Sequence, residues 1–81
     1  MKIARLLRQN METYAIVNGD KVLTRESITT QTGIPIPQNI KDFLFDGWYD
    51  EIKNSAKNLA YNENLIDFKL ALLIKVFNLL L

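Results

Sequence analysis

The chain has no histidine and no cysteine among its 81 residues. That removes the commonest general base, the commonest metal ligand and the thiol nucleophile together. Ser27 and Ser55 therefore have no histidine partner, and a serine triad is excluded. Glycine is scarce as well. Gly19 and Gly33 stand alone, with no G-x-G-x-x-G and no Walker sequence, so no phosphate-cradling loop is indicated. No disulfide can staple the fold. The absence fits a reducing compartment, and the expectation is a cytoplasmic chain.

Charge of either sign is also modest. Ten basic and nine acidic residues leave a formal charge of +1, far from the balance of a dedicated nucleic-acid binder. The start, MKIARLLRQNMETYAIV, does not read as a signal peptide, because Lys2, Arg5 and Arg8 interrupt its apolar residues. One apolar stretch stands out. Residues 70–81, LALLIKVFNLLL, are apolar except Lys75 and Asn78. A spanning helix needs roughly 20 such residues, so a membrane crossing is not expected. A single core in a chain of this size supplies roughly 3–5 kcal/mol of net stability, so packing or oligomerisation has to hold the fold.

Near the front, Ile3, Leu6 and Leu7 alternate with charges in a way that leaves strand and helix both open. The next segment decides it. Thr13-Tyr14-Ala15-Ile16-Val17 is aromatic and β-branched, and Asn18-Gly19 after it is a strong hairpin signal. Lys21–Thr24 reads as the return strand. Residues 2–24 thus predict a three-stranded antiparallel meander of Lys2–Arg8, Glu12–Val17 and Lys21–Thr24. Residues 25–40 read as a loop broken by Gly33, Pro35 and Pro37, with apolar anchors at Ile34 and Ile36.

From Asn39 the spacing becomes helical through Ile40, Phe43, Leu44, Trp48, Ile52 and Leu59. Asn39 is placed to cap the first turn. The reading is one helix over Ile40–Phe45, a bend at Asp46-Gly47 and a second helix over Trp48–Ala60. Phe43, Leu44, Trp48 and Ile52 should be more buried than Asp46, Asp50, Lys53 and Lys57. Asn62-Glu63-Asn64 reads as a turn, and Leu65–Leu70 as a strand entering a following module. The fold class is α+β: a small antiparallel meander, one or two short helices and an apolar C-terminal segment.

Three constellations carry chemistry of any kind. Asp46, Asp50 and Glu51 form the densest acidic cluster, but the alternating oxygen ligands of a calcium loop are absent and Lys53 and Lys57 lie near to pair with them. Lys2, Arg5, Arg8 and Lys21 fall on neighbouring strands, where Tyr14 has the chemistry to stack a base between them, or they form the polar face of a half-buried sheet. The low net charge favours the sheet face. Trp48 with Tyr49 reads as a core or docking anchor in preference to a ligand wall.

The segment MKIARLLRQNMETYAIVNGDKVLTRE resembles the opening of fumarylacetoacetate hydrolase family proteins, many of which start with a Lys/Arg-Ile-Ala-Arg strand. In them a second strand carries Tyr-Ala/Gly-Ile-Val, followed by Gly-Asp/Glu-x-Val. TGIPIPQNIKDFLFDGW is similar to the stretch that prokaryotic, particularly archaeal, members carry before their catalytic domain. LIDFKL resembles the lead-in to that domain, usually followed by a proline-rich stretch, a Lys-Ile strand and an Asn-Tyr motif.

The resemblance spans about residues 1–70. It implies a parent enzyme that hydrolyses acylpyruvate-like diketo acids, or decarboxylates, isomerises or dehydrates related oxo acids. It also implies a divalent metal, usually magnesium, held by carboxylates, with a histidine–glutamate pair in several members. All those residues belong to the catalytic domain, and none maps onto this chain. No catalytic, cofactor-binding or metal-ligating residue is assigned.

After Leu70 the chain departs from the family pattern. Residues 1–69 are read as the family's N-terminal module and 70–81 as an apolar tail foreign to it. A shifted reading frame near Leu70 in an AT-rich gene would produce such a tail, and the nucleotide sequence downstream tests this. The functional expectation is a non-catalytic module whose partner is the catalytic domain of the parent enzyme. Self-association through the tail is expected, and so is a gain in solubility, without loss of structure in residues 1–60, on ending the chain after Lys69. No nucleic-acid partner is expected. The alternative is a small interaction protein that docks on a partner or membrane surface through its apolar C-terminal segment; a helix over Leu65–Leu81 would be apolar on most of its circumference.

Overall fold

Alternation of apolar and charged residues in the first 24 positions builds the centre of the molecule. The computed structural model describes residues 2–75, and the expectations for 76–81 lie outside the described residues. Strands β1 (Lys2–Arg8), β2 (Met11–Asn18) and β3 (Lys21–Thr24) form the meander that the sequence predicts, with β2 one residue longer at each end. The first hairpin turns at Gln9 and Asn10, both with positive φ. Its register sets Ile3 opposite Ile16 and Arg5 opposite Tyr14.

The second turn sits one residue later than expected. Asn18 pairs with Lys21, so the central residues are Gly19 and Asp20, and Gly19 takes the positive φ of 63° that a two-residue hairpin demands at its first position.

Because side chains alternate across a strand, the meander has two apolar faces. Ile3, Tyr14, Ile16 and Leu23 share one core with Ile28, Ile36, Phe43, Ile52 and Ala56. Ala4, Leu6, Ala15 and Val22 form a smaller core on the other side, against which Leu65 and Phe68 pack.

Residues 25–32 are a helix, which corrects the expected loop. Helix α1 (Arg25–Thr32) begins where the Thr24 hydroxyl accepts the Ser27 N–H, and it ends at Gly33 in the left-handed conformation. The loop proper covers only 33–39. Ile36 is buried and Ile34 half-buried, as anchors should be.

Helix α2 (Ile40–Phe45) has the expected bounds and the expected Asn39 cap. Helix α3 (Trp48–Ala56) starts at Gly47, whose φ is 85°, and ends four residues earlier than expected. Asn58 and Leu59 donate to carbonyls only three residues back, so the last turn tightens and stops. Phe43 and Ile52 are buried, Leu44 and Trp48 half-buried, and Asp46, Asp50 and Lys57 exposed. Lys53 is half-buried as well, no more exposed in class than Leu44 and Trp48, and pairs with Asp50.

The segment after α3 is also corrected. Glu63–Asn64 is not a free turn but a short strand, β4, paired with β3. Leu65–Asp67 is a single 3-10 turn, and strand β5 (Lys69–Lys75) follows. This excludes a continuous helix from Leu65 through the apolar segment. β5 pairs antiparallel with β1 and crosses the expected boundary at residue 70, so the sheet has five strands in the order β4-β3-β2-β1-β5. The molecule is α+β, with three short helices among the described residues.

Candidate functional site

Strand alternation disperses the basic residues. Lys2 and Arg8 lie on the face of Ala4 and Leu6, whereas Arg5 lies on the face of Ile3 and Tyr14. Each is then partnered or separated. Arg8 pairs with Glu63 at 2.7 Å and lies over the Phe68 ring, 4.4 Å from its centroid. Lys21 donates to the Asn64 side chain at 2.6 Å. Tyr14 cannot stack a base, because it is buried with its ring against Phe43 and its hydroxyl donating to the Pro37 carbonyl. Burial holds the Tyr14 hydroxyl well above its ordinary pKa; nearby Arg25 lowers it and Glu26 raises it further.

The acidic cluster does not converge either. Asp46 ends α2, and Asp50 pairs with Lys53 at 3.3 Å. Among the described residues no group of three or more acidic side chains is arranged to hold a metal ion. Trp48 and Tyr49 are partly buried and pack against the helix-covered core.

A cleft that sequence reasoning missed opens beside the β1–β2 hairpin. It has a volume of about 460 Å³. One wall comes from β1 and β2 through Arg5, Glu12 and Thr13. The opposite wall comes from the first turn of α1 through Arg25 and Glu26, and the rim from Gln38, Asn39 and Ile40. Three contacts order it. Arg5 Nε meets Glu12 Oε1 at 2.8 Å. The Thr13 hydroxyl reaches both Glu26 carboxylate oxygens at 2.9 Å. Arg25 Nη1 lies 3.7 Å from Glu26, a long contact, and Arg25 Nε is buried with no hydrogen-bond partner.

The cleft thus holds two guanidiniums of unequal standing. Arg5 is committed to Glu12 and largely solvated, while Arg25 has only 18% of its side chain exposed and is short of acceptors. A sequence signal for it existed. Thr24 followed by Arg-Glu-Ser, with Gly33 and Pro35 downstream, has the start and stop chemistry of a helix that would lift Arg25 to the sheet. No family model, curated protein or solved structure matches the chain.

Proposed function

We propose that this chain is a non-catalytic N-terminal module of a fumarylacetoacetate hydrolase-like enzyme, whose partner is the metal-dependent catalytic domain of that enzyme. The observation that supports the reading is the order of the segments that resemble the family. KIARLLR is one strand, TYAIV lies in its hairpin partner, and KVLT is the return strand. The similar stretch TGIPIPQNIKDFLFDGW runs from the end of α1 through α2 to the start of α3 without interrupting the sheet. The first resembling segment thus covers the three-stranded meander, and the second joins α1 to α3 through α2.

In this reading the divalent metal and the residues that hold it belong to the partner domain. The module's own work is packing, and shaping the entrance to that domain's active site. The test is direct. The purified chain is assayed for acylpyruvate hydrolysis with magnesium, and turnover should not exceed a metal-only control. Turnover clearly above it overturns the proposal.

A second reading, docking on a partner or membrane surface, is favoured by one feature. Ile66, just before β5, is 89% exposed, and Leu70, in β5, is 50% exposed. No helix among the described residues is long and apolar enough to cross a membrane, so such docking would be peripheral. Co-sedimentation with lipid vesicles separates the two readings.

A further inference from the structure

The cleft between the β1–β2 hairpin and α1 has a use for which neither reading above accounts. Arg25 is the starting point. A guanidinium carries five N–H donors and cannot shed its charge, so a mostly buried one needs acceptors. Here Nε has none, and the contact to Glu26 is 3.7 Å long. Glu26 is drawn the other way, since both its oxygens take the Thr13 hydroxyl at 2.9 Å. Glu12 closes on Arg5 Nε at 2.8 Å, and among the described residues no ion pair joins it to Arg25.

The charge in the cleft decides what class of ligand fits. Arg5 and Arg25 are balanced by Glu12 and Glu26, so the walls are neutral in sum. A dianion would meet two carboxylates, and a cation would meet an acceptor-starved guanidinium. A single carboxylate can face the Nη atoms of Arg25 in a bidentate geometry, the buried Nε lying behind them. Met11 and Ile40 give the cleft apolar surface beside that charge, and its volume is within the range of small-ligand sites.

We propose that this cleft binds a monocarboxylate with an apolar body, the carboxylate on Arg25 and the body against Met11 and Ile40. The ligand is either a free short-chain acid or the C-terminal carboxylate of a peptide, which share this chemistry. The inference stands on the cleft alone and holds whether or not the chain belongs to a larger enzyme.

The test is a nitrogen-15 NMR titration of the full chain that follows the Arg side-chain Nε–H signals. Hexanoate should move the Arg25 signal saturably below about 50 mM, hexylamine should leave it in place, and hexyl phosphate as the dianion should bind more weakly. Arg25→Lys keeps the charge and loses the fork, and should weaken hexanoate binding about ten-fold. Arg5→Lys should change it by less than about three-fold, since Arg5 is already paired. An acetylated dipeptide ending in leucine, compared with its amide, identifies the source. Preference for the peptide acid over hexanoate assigns a chain terminus, the reverse assigns a free acid, and both support the site. An Arg25 signal unmoved by hexanoate overturns the proposal, as does an equal response to hexylamine or wild-type affinity in Arg25→Lys. If Arg25→Lys fails to fold, the titration of the unsubstituted chain decides alone.

Discussion

Tyr14 shows how one side chain serves two parts of the molecule. Its ring lies 5.0 Å from that of Phe43, centroid to centroid, tying β2 to α2, and its hydroxyl holds the Pro37 carbonyl in the loop between α1 and α2. Tyr14→Phe keeps the ring and leaves the carbonyl short of a donor, so it should cost about 1 kcal/mol in denaturant unfolding. The same variant has a pH signature. Burial raises the hydroxyl's pKa above its ordinary 10.0, so the unfolded chain ionises first. The stabilisation is therefore complete below pH 10 and declines as pH rises beyond it, by at most about 1.4 kcal/mol per pH unit. Tyr14→Phe should remove part of that decline and leave the part due to Tyr61, whose pKa burial also raises. Equal slopes for the two proteins between pH 10 and 11.5 would show that Tyr14 is solvated. Trp48 is a graded case. It is half-buried against the core and not enclosed by it. Trp48→Ala should then cost about 2 kcal/mol, short of the roughly 3–5 kcal/mol of an enclosed ring. A loss under 1 kcal/mol would mark it as a docking surface instead.

At the scale of elements, legibility followed the strength of the local signal. Strands β1 to β3 and helix α2 could be read because β-branched runs, a hairpin glycine and an Asn cap act within a few residues of one another. Helix α1 carried only start and stop signals, because RESITTQT is rich in β-branched threonine and buries only Ile28, leaving no apolar stripe to read. Its stability comes from its ends and from outside. Gln31 donates to Ser27 Oγ at 2.8 Å and to the Ala60 carbonyl at 2.9 Å, while its own side-chain oxygen accepts the Ala60 N–H at 2.8 Å, so it clamps the helix to a distant strap. Missing α1 also hid the cleft, since Arg25 and Glu26 face β1 and β2 only once that turn is helical. Strand β4 was illegible for a different reason. Two residues carry no periodicity, and only their pairing with β3 defines them. The helix ends give a sharp prediction. Gly33 sits at φ 77° with open space around its missing side chain. Gly33→Ala should cost about 1 kcal/mol from backbone strain alone, visible as a lower thermal midpoint with unchanged circular dichroism at 20 °C. A neutral result would mean that α1 ends by another route in solution.

For the whole molecule, the question is what the apolar segment contributes. Its composition suggested a foreign tail that could be removed freely, with a gain in solubility. The pairing of β5 alters that expectation. β1 is an inner strand only because β5 lies beside it, from Lys2 opposite Lys75 to Leu7 opposite Lys69. Without β5, β1 becomes an edge whose N–H and C=O groups face water or another chain. Ile3, Ala4 and Leu6 are fully buried and stand on that strand. A chain ended after Lys69 loses nearly the whole ladder on that side and should be destabilised by at least about 2 kcal/mol. In a domain this small that lowers the thermal midpoint by about 10 °C or more. The secondary structure of α2 and α3 should survive at low temperature, since the core they share also holds Tyr14, Ile16 and Leu23, on strands that do not border the removed one. The measurement is paired, with circular dichroism melts for stability and light scattering for size on both chains. A truncated chain that melts with the full one and is more monodisperse would show that β5 does not hold β1 in solution, and that the apolar segment only promotes self-association.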